Sequence, residues 1–167
     1  KTITVNLTDV NDNAPVITTA ATQTVAENTT FVAALASTDA DTVGTNPATF
    51  SITGGADSAK FDIVGGNLVF KAAPDFETQA HSYQVEVTAF DGANSTPKTI
   101  TVNLTDVNDN APVITSATTQ SDAENTTVAT AVDPTGADAP GTVGARSHFL
   151  SGAAVGQLQM SALHPGL

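Results

Sequence analysis

Apolar and polar residues alternate with a period of two along much of the chain, which is typical of β-strands with one buried face. Ile100, Val102 and Leu104 alternate with threonine and asparagine, and a second run alternates from Tyr83 to Ala89. Shorter apolar runs predict further strands at 31–35, 50–52, 61–64 and 68–70. No window has convincing helical periodicity, so the sequence predicts an all-β protein.

A long internal repeat sets the size of the folding unit. Residues 1–18 and 98–115 are identical, so the period is 98 − 1 = 97 residues. One period of this length, with turn signals at Gly54-Gly55 and Gly65-Gly66, fits a single seven-stranded Greek-key β-sandwich. The predicted divisions are the last strand and linker of a preceding repeat at 1–13, a complete repeat at 14–110, the start of a following repeat at 111–138, and an atypical tail at 139–167.

The tail differs in composition from the rest of the chain. No acidic residue follows Asp138, and the only Arg and the only Met of the chain lie beyond Pro140. Apolar residues there do not alternate as in a strand. We therefore expect the tail to have no stable tertiary structure of its own.

Charge and cysteine content exclude several classes of function. The chain has 17 acidic and 5 basic residues, a formal net charge of −12, which argues against binding nucleic acid or anionic lipid. There is no cysteine, so disulfides and thiolate metal sites are absent. A small secreted domain without disulfides needs another source of stability, and a bound metal ion is one.

The motif Asp-x-Asn-Asp-Asn-Ala-Pro occurs twice, at Asp9–Pro15 and at Asp106–Pro112. Such a density of carboxylate and amide oxygens suits Ca²⁺, which prefers six to eight oxygen ligands. An EF-hand loop needs Gly at its sixth position and Glu at its twelfth, and here those positions are Ala111 and Ala117. The motif is therefore a calcium-type sequence but not an EF-hand.

This motif resembles the linker between extracellular cadherin repeats. Four more segments resemble cadherin motifs in the expected order: Ala26-Glu27-Asn28, Asp39-Ala40-Asp41, Asp75-Phe76-Glu77 and Ala89-Phe90-Asp91-Gly92. Each of these short motifs is weak alone, but five in order within one period are specific. The resemblance covers residues 1 to about 138.

The resemblance implies calcium ions between consecutive repeats, held by loops of both. For the second junction it implies carboxylates of Glu27, Asp75, Glu77, Asp106 and Asp109, backbone carbonyls of Val107 and Asn110, the side chain of Asn108, and Asp138 from the following repeat. For the first junction it implies Asn11, Asn13, Asp39, Asp41 and Asp91, with Asn46 as a carbonyl donor. Gly136 stands where the counterpart of Asp39 would be, so one site of the second junction should be lost.

Electrostatics supports the same cofactor without the resemblance. Carboxylates gathered at one end of a sandwich repel one another, by up to ~4 kcal/mol for a close pair near a surface. Multivalent cations make such a cluster stable in its charged form. A general acid, in contrast, needs a carboxyl that stays protonated, and the chain also lacks the G-x-S-x-G and H-E-x-x-H motifs, so we expect no enzyme.

Two functions remain open from the sequence. The first is a calcium-dependent adhesion or surface array of a bacterial type, extracellular and part of a surface- or membrane-associated protein. Its partners would be neighbouring repeats of the same chain, other cell-surface proteins or glycans. The second is a spacer or carbohydrate-binding module of a large secreted enzyme. One Tyr, no Trp and seven Phe, mostly at strand positions expected to be buried, favour adhesion over sugar binding.

Overall fold

The structure is a computed structural model that describes residues 1–111, 113–114 and 134–135. The chain divides into two compact units, Lys1–Thr105 and Asp106–Leu167. Among the described residues, no helix has the length and apolar character needed to cross a membrane.

Nine strands and one short 3-10 helix, Ser58–Lys60, form within the first unit. The strands are β1 (Val16–Ile17), β2 (Thr22–Ala26), β3 (Phe31–Ala34), β4 (Ser37–Thr38), β5 (Thr49–Gly54), β6 (Phe61–Val64), β7 (Asn67–Phe70), β8 (Ser82–Phe90) and β9 (Ser95–Thr105). One sheet has the order β2-β9-β8-β5 and the other β3-β7-β6, while β1 pairs with β4. The two larger sheets thus hold seven strands, and the predicted all-β sandwich is confirmed.

The core lies between the two larger sheets and follows the predicted alternation. The inward side chains of β8 and β9 that are at most 1% exposed are Tyr83, Val85, Val87, Ala89, Ile100 and Val102. Phe61 and Phe70 of the opposite sheet stack with ring centroids 4.5 Å apart, and Tyr83 meets Phe70 edge-on at 5.3 Å. Each buried Val, Ile or Phe side chain of this core stabilises the fold by roughly 1.5–3 kcal/mol.

The predicted turn at Gly65-Gly66 joins β6 to β7. Both residues have positive φ, +57° and +79°, and no heavy atom lies within 4 Å of where a side chain would begin. Two consecutive positive φ values are the requirement of the tightest hairpin turns, which explains the glycine pair.

The segment Lys1–Thr8, expected as a strand, is not in a strand in this chain. Ile3, Val5 and Leu7 are 81%, 76% and 94% exposed. The same eight residues at Lys98–Thr105 form the centre of a sheet in β9. A strand needs neighbouring strands for its backbone hydrogen bonds, and only the second occurrence has them here.

The expectation that phenylalanine is mostly buried at strand positions needs a correction at two of them. Phe31 is 55% exposed and Phe90 is 42% exposed. Phe31 is the first residue of β3 and Phe90 is the last residue of β8, and both occupy outward-facing positions of their strands. Position within the alternation, and not residue type, decides which rings are buried.

The second unit has two described strands, β10 (Val113–Ile114) and β11 (Pro134–Thr135), which pair antiparallel. The tail 139–167 lies outside the described residues. The predicted divisions of the chain into repeats therefore stay predictions.

Candidate calcium site

Three segments of the first unit meet at one end of the sandwich. They are the linker 9–13, the loop 39–46 that follows β4, and the turn 91–94 between β8 and β9. All five residues predicted for ligand side chains at the first junction lie on these segments.

Asp41 holds Asn13 by two hydrogen bonds. The Asn13 backbone N–H donates to Oδ2 of Asp41 at 2.7 Å, and its side-chain amide donates to Oδ1 at 2.6 Å. Asp41 is only 3% exposed, so its charge has little water around it. A buried carboxylate needs compensating donors or a cation, and the linker supplies two donors.

Asp91 lies in the turn between β8 and β9 and is 1% exposed. Its Oδ1 accepts hydrogen bonds from the backbone N–H groups of Asn94 and Ala93, both at 2.7 Å. The Asn94 bond is the largest of several that hold the pKa of Asp91 below its ordinary value of 3.8. Asp91 is thus ionised at neutral pH, as a calcium ligand must be.

The side chain of Asn11 lies between these two carboxylates. One atom of its amide is 3.1 Å from Asp91 Oδ2 and 3.3 Å from Asp41 Oδ2. If the amide nitrogen occupies this position, it donates one hydrogen bond to each of the two carboxylates. If the amide oxygen occupies it, oxygen atoms from three segments of the chain lie close together. Neighbouring oxygens in a Ca²⁺ shell, each about 2.3–2.6 Å from the ion, are separated by roughly 3–3.5 Å. The observed spacing fits such a shell.

Asp39 provides a further indication of a cation. Its Oδ1 accepts the backbone N–H of Asp41 at 3.1 Å, but its Oδ2 is buried and has no hydrogen-bond partner. A buried carboxylate oxygen without a donor is costly. A calcium ion bound to Oδ2 of Asp39 would remove that cost, so the chemistry of this carboxylate fits the metal.

Two residues that support the site were not predicted from the sequence. Gly44 has φ +93°, and a Cβ there would collide with the Asn11 side-chain amide. Thr42 donates from both its N–H and its hydroxyl to Asp9 Oδ2, each at 2.6 Å, and the hydroxyl is the main cause of the lowered pKa of Asp9. Neither a lone Gly nor a lone Thr in a loop carries a signal that could have shown these contacts.

Asn46, predicted as a carbonyl donor, is exposed and precedes a cis peptide bond to Pro47. The N–H of its neighbour Thr45 donates to the Asp91 carbonyl at 2.6 Å, which ties this loop to the turn of Asp91. A ligand role for Asn46 stays a prediction.

The predicted second-junction residues of the first unit form a separate group. Glu27 is 2% exposed and its Oε2 accepts the Phe76 N–H at 2.7 Å. Asp75 Oδ1 accepts the N–H groups of Glu77 and Thr78 at 3.0 and 3.2 Å. Several hydrogen bonds lower the pKa of Asp75, and the bond from the Thr78 side chain has the largest effect. Glu27 is therefore bonded to the loop that carries Asp75 and Glu77.

The remaining predicted ligands lie beyond the first unit. The second unit begins with Asp106, Val107, Asn108, Asp109 and Asn110. The side-chain amide of Asn110 donates a hydrogen bond to Asp109 Oδ1 at 2.8 Å. Asp138 lies outside the described residues. The ligand set of the second junction therefore stays a prediction.

Comparison with known proteins identifies the type of repeat. No family model matches the chain. The chain is 38% identical over 122 residues to Protein dachsous of Drosophila melanogaster, a match that covers 67% of this chain and 3% of that protein. It is 33% identical over 175 residues to human Protocadherin-16, covering 98% of this chain and 5% of that protein. The chain thus spans a small fraction of the length of these relatives.

Solved structures agree with the sequence relatives. A structure of repeats EC3-6 of protocadherin gammaB7, described as a cis-dimer, has a TM-score of 0.71 and 28% identity over 99% of this chain and 47% of its own. Cadherin domains 3-6 of protocadherin gamma B2 give a TM-score of 0.70 and 29% identity over 90% and 42%. The chain therefore belongs to the cadherin family and is a stretch of cadherin-like extracellular repeats. The two sequence relatives are from Drosophila melanogaster and Homo sapiens, and the expected bacterial type stays a prediction.

Proposed function

We propose that this chain binds Ca²⁺ at the ends of its repeats and acts as a calcium-stiffened segment of a cell-surface adhesion protein. The observation that supports this most directly is the position of one amide atom of Asn11, 3.1 Å from Asp91 Oδ2 and 3.3 Å from Asp41 Oδ2, together with the buried, unpartnered oxygen of Asp39. Calcium is the hard cation that such an all-oxygen set prefers.

In this proposal the ion links the linker to the sandwich. Asn11 comes from the linker, whereas Asp39, Asp41 and Asp91 come from loops anchored by strands. Calcium bound between Asp41 and Asp91, at the Asn11 amide, would neutralise these two carboxylates and restrict the angle at which the linker leaves the repeat. That restriction is what stiffens a row of repeats, and neighbouring repeats of the same chain are the proposed partners, with other cell-surface proteins or glycans as further ones.

A second calcium group is proposed at the other junction. Glu27, Asp75 and Glu77 are supported by the contacts that join Glu27 to the Asp75 loop. The resemblance alone supports a ligand role for six further residues: Asp106, Val107, Asn108, Asp109, Asn110 and Asp138.

A role without catalysis accords with the charge state of the carboxyl groups. Asp9, Asp75 and Asp91 have pKa values below 3.8, whereas a general acid needs a raised one. A carbohydrate-binding module has less support, because the two exposed phenylalanine rings within residues 1–105, Phe31 and Phe90, lie on different sheets. Among residues 1–105 they do not form one stacking platform for a sugar.

Calcium titration by calorimetry tests the proposal on the full 167-residue chain. We expect the wild type to bind calcium and Asp91→Asn to bind it at least tenfold more weakly, because the variant loses a charged ligand. Asp62→Asn is the matched control, since Asp62 is exposed and accepts only its neighbour's N–H at 2.8 Å. Equal calcium affinities of the two variants, or no binding by the wild type, would contradict the proposal.

A further inference from the structure

Asn94 contacts both the linker and the turn of Asp91. Its side-chain Nδ2 donates to the backbone carbonyl of Asn13 at 3.1 Å and, more weakly, to that of Asn11 at 3.5 Å. Its backbone N–H donates to Asp91 Oδ1 at 2.7 Å. We infer that Asn94 is a positioning residue that anchors the linker to the sandwich and thereby places Asn11 beside Asp41 and Asp91.

The linker needs such an anchor because it lacks strand pairing. Residues 9–13 are in no sheet, and one short backbone bond, from Asp12 N–H to Val10 O at 3.0 Å, lies within them. Their position therefore depends on side chains of the sandwich. Four residues supply these contacts: Thr42 to Asp9, Asp91 to Asn11, Asp41 to Asn13, and Asn94 to two carbonyls.

Asn94 differs from Asp41 in its chemistry. Asp41 holds Asn13 through carboxylate oxygens, which are the atoms that a calcium ion would take. Asn94 is a donor to backbone carbonyls, and a carbonyl has two lone pairs, so this contact persists when a cation binds nearby. Asn94 can therefore hold the linker both before and after calcium binding, whereas the Asp41 contact competes with the ion.

The sequence explains why this residue was not found. Asn94 begins the sequon Asn94-Ser95-Thr96, and the motif at 89–92 ends two residues before it. Nothing in its neighbourhood on the chain points to residues 11 and 13, which lie 83 and 81 positions away. Only the fold places the turn against the linker.

Amide hydrogen exchange of the full chain in chelator tests the anchoring without calcium. We expect Asn94→Ala to raise the exchange rate of the Asn13 N–H about tenfold, because two hydrogen bonds to the linker are lost. Asn94→Asp, which keeps the size but removes the donor, should do the same. Asn103→Ala is the control: it also loses a side-chain bond, to the Ser82 hydroxyl at 2.9 Å, and should leave Asn13 unchanged.

Calcium titration of the same variants tests the consequence for the site, which rests on the proposed function. Asn94→Ala should weaken calcium binding about tenfold relative to Asn103→Ala, with similar melting temperatures of the two variants in chelator. An Asn13 exchange rate equal in both variants would overturn the inference. A wild type that binds no calcium, together with raised exchange in Asn94→Ala, would overturn the proposed function but uphold the anchoring.

Discussion

Single residues at the proposed calcium site act either by allowing close approach or through charge. Gly44 is the clearest case, since its φ of +93° and its contact with the Asn11 amide leave no space for a side chain. Asp91 acts through charge instead, and backbone N–H groups of its own turn keep it ionised.

We predict that Gly44→Ala weakens calcium binding at least tenfold, because the new methyl group pushes Asn11 away from Asp41 and Asp91. Gly65→Ala is a matched control. It also has positive φ, +57°, but no atom lies within 4 Å of its side-chain position. Both variants should lose about 1–2 kcal/mol of stability through the left-handed conformation, and calorimetry should show that only Gly44→Ala loses calcium affinity. Equal affinities would contradict the prediction.

The pH dependence of calcium stabilisation follows from the lowered pKa values. Asp9, Asp75 and Asp91 have folded-state pKa values below 3.8, so their contribution is complete above that value and is lost as pH falls through the folded-state pKa. The rise in melting temperature on adding calcium should therefore be constant from about pH 7 to about pH 5 and be lost only as pH falls below 3.8. Thermal melts across this range measure it. A loss centred near pH 6 would point to another titrating group.

At the scale of elements, one lysine secures the segment in which the chain crosses from the β1-β4 pair to the sheet that contains β2. The chain passes from β1, which pairs with β4, to β2, which pairs with β9. Lys98 of β9 donates from Nζ to the carbonyls of Ile17 and Thr19 at 3.0 and 2.6 Å. These carbonyls lie at the crossing, where the regular ladder is interrupted.

We predict that Lys98→Met destabilises the first unit by about 2–3 kcal/mol, because two charge-assisted hydrogen bonds to carbonyls are lost. Lys71→Met is the control, since Lys71 is exposed and only its backbone N–H is bonded, to the Lys60 carbonyl at 2.8 Å. Urea unfolding of both variants gives the difference. If both lose less than about 0.5 kcal/mol, as surface changes usually do, the Lys98 contacts are not stabilising.

The two predicted strands with clear alternation were confirmed as β8 and β9, and those predicted from shorter apolar runs as β3, β5, β6 and β7. The short strands β1, β2 and β4 were not predicted. β2 reads Thr-Gln-Thr-Val-Ala, with only Val25 fully buried, so its pattern is weak. It is a strand because it pairs in parallel with β9, from Thr22 opposite Thr101 to Ala26 opposite Thr105.

At the scale of the whole molecule, bound calcium should raise stability because it binds the native state. At a concentration 100 times the dissociation constant the gain is about 2.7 kcal/mol. We therefore predict a melting temperature several degrees higher in millimolar calcium than in chelator for the full chain. Magnesium at the same concentration should have a smaller effect, because it prefers a tighter octahedral shell. Identical melting curves in calcium and chelator would contradict the prediction.

The sequence by itself determined the fold class and the chemistry of the site. Alternation in β8 and β9 set the buried face, glycines marked a turn, and the repeated Asp-Asn motif indicated an oxygen-rich cation site. These signals are local, since they depend on residue types at short, regular spacing. The grouping of Asn11, Asp41 and Asp91 in one site, in contrast, was predicted by the resemblance alone.

Only the tertiary structure decided which residues contact one another across the chain. Gly44, Thr42 and Asn94 support the linker through contacts with partners at least 33 positions away, which no local pattern encodes. The segment Lys-Thr-Ile-Thr-Val-Asn-Leu-Thr shows the limit most directly. At 98–105 it is a buried strand between β2 and β8, and at 1–8 the identical residues are exposed and unpaired. Its alternation specifies a face to bury, but strand formation requires neighbours that supply backbone hydrogen bonds and a core.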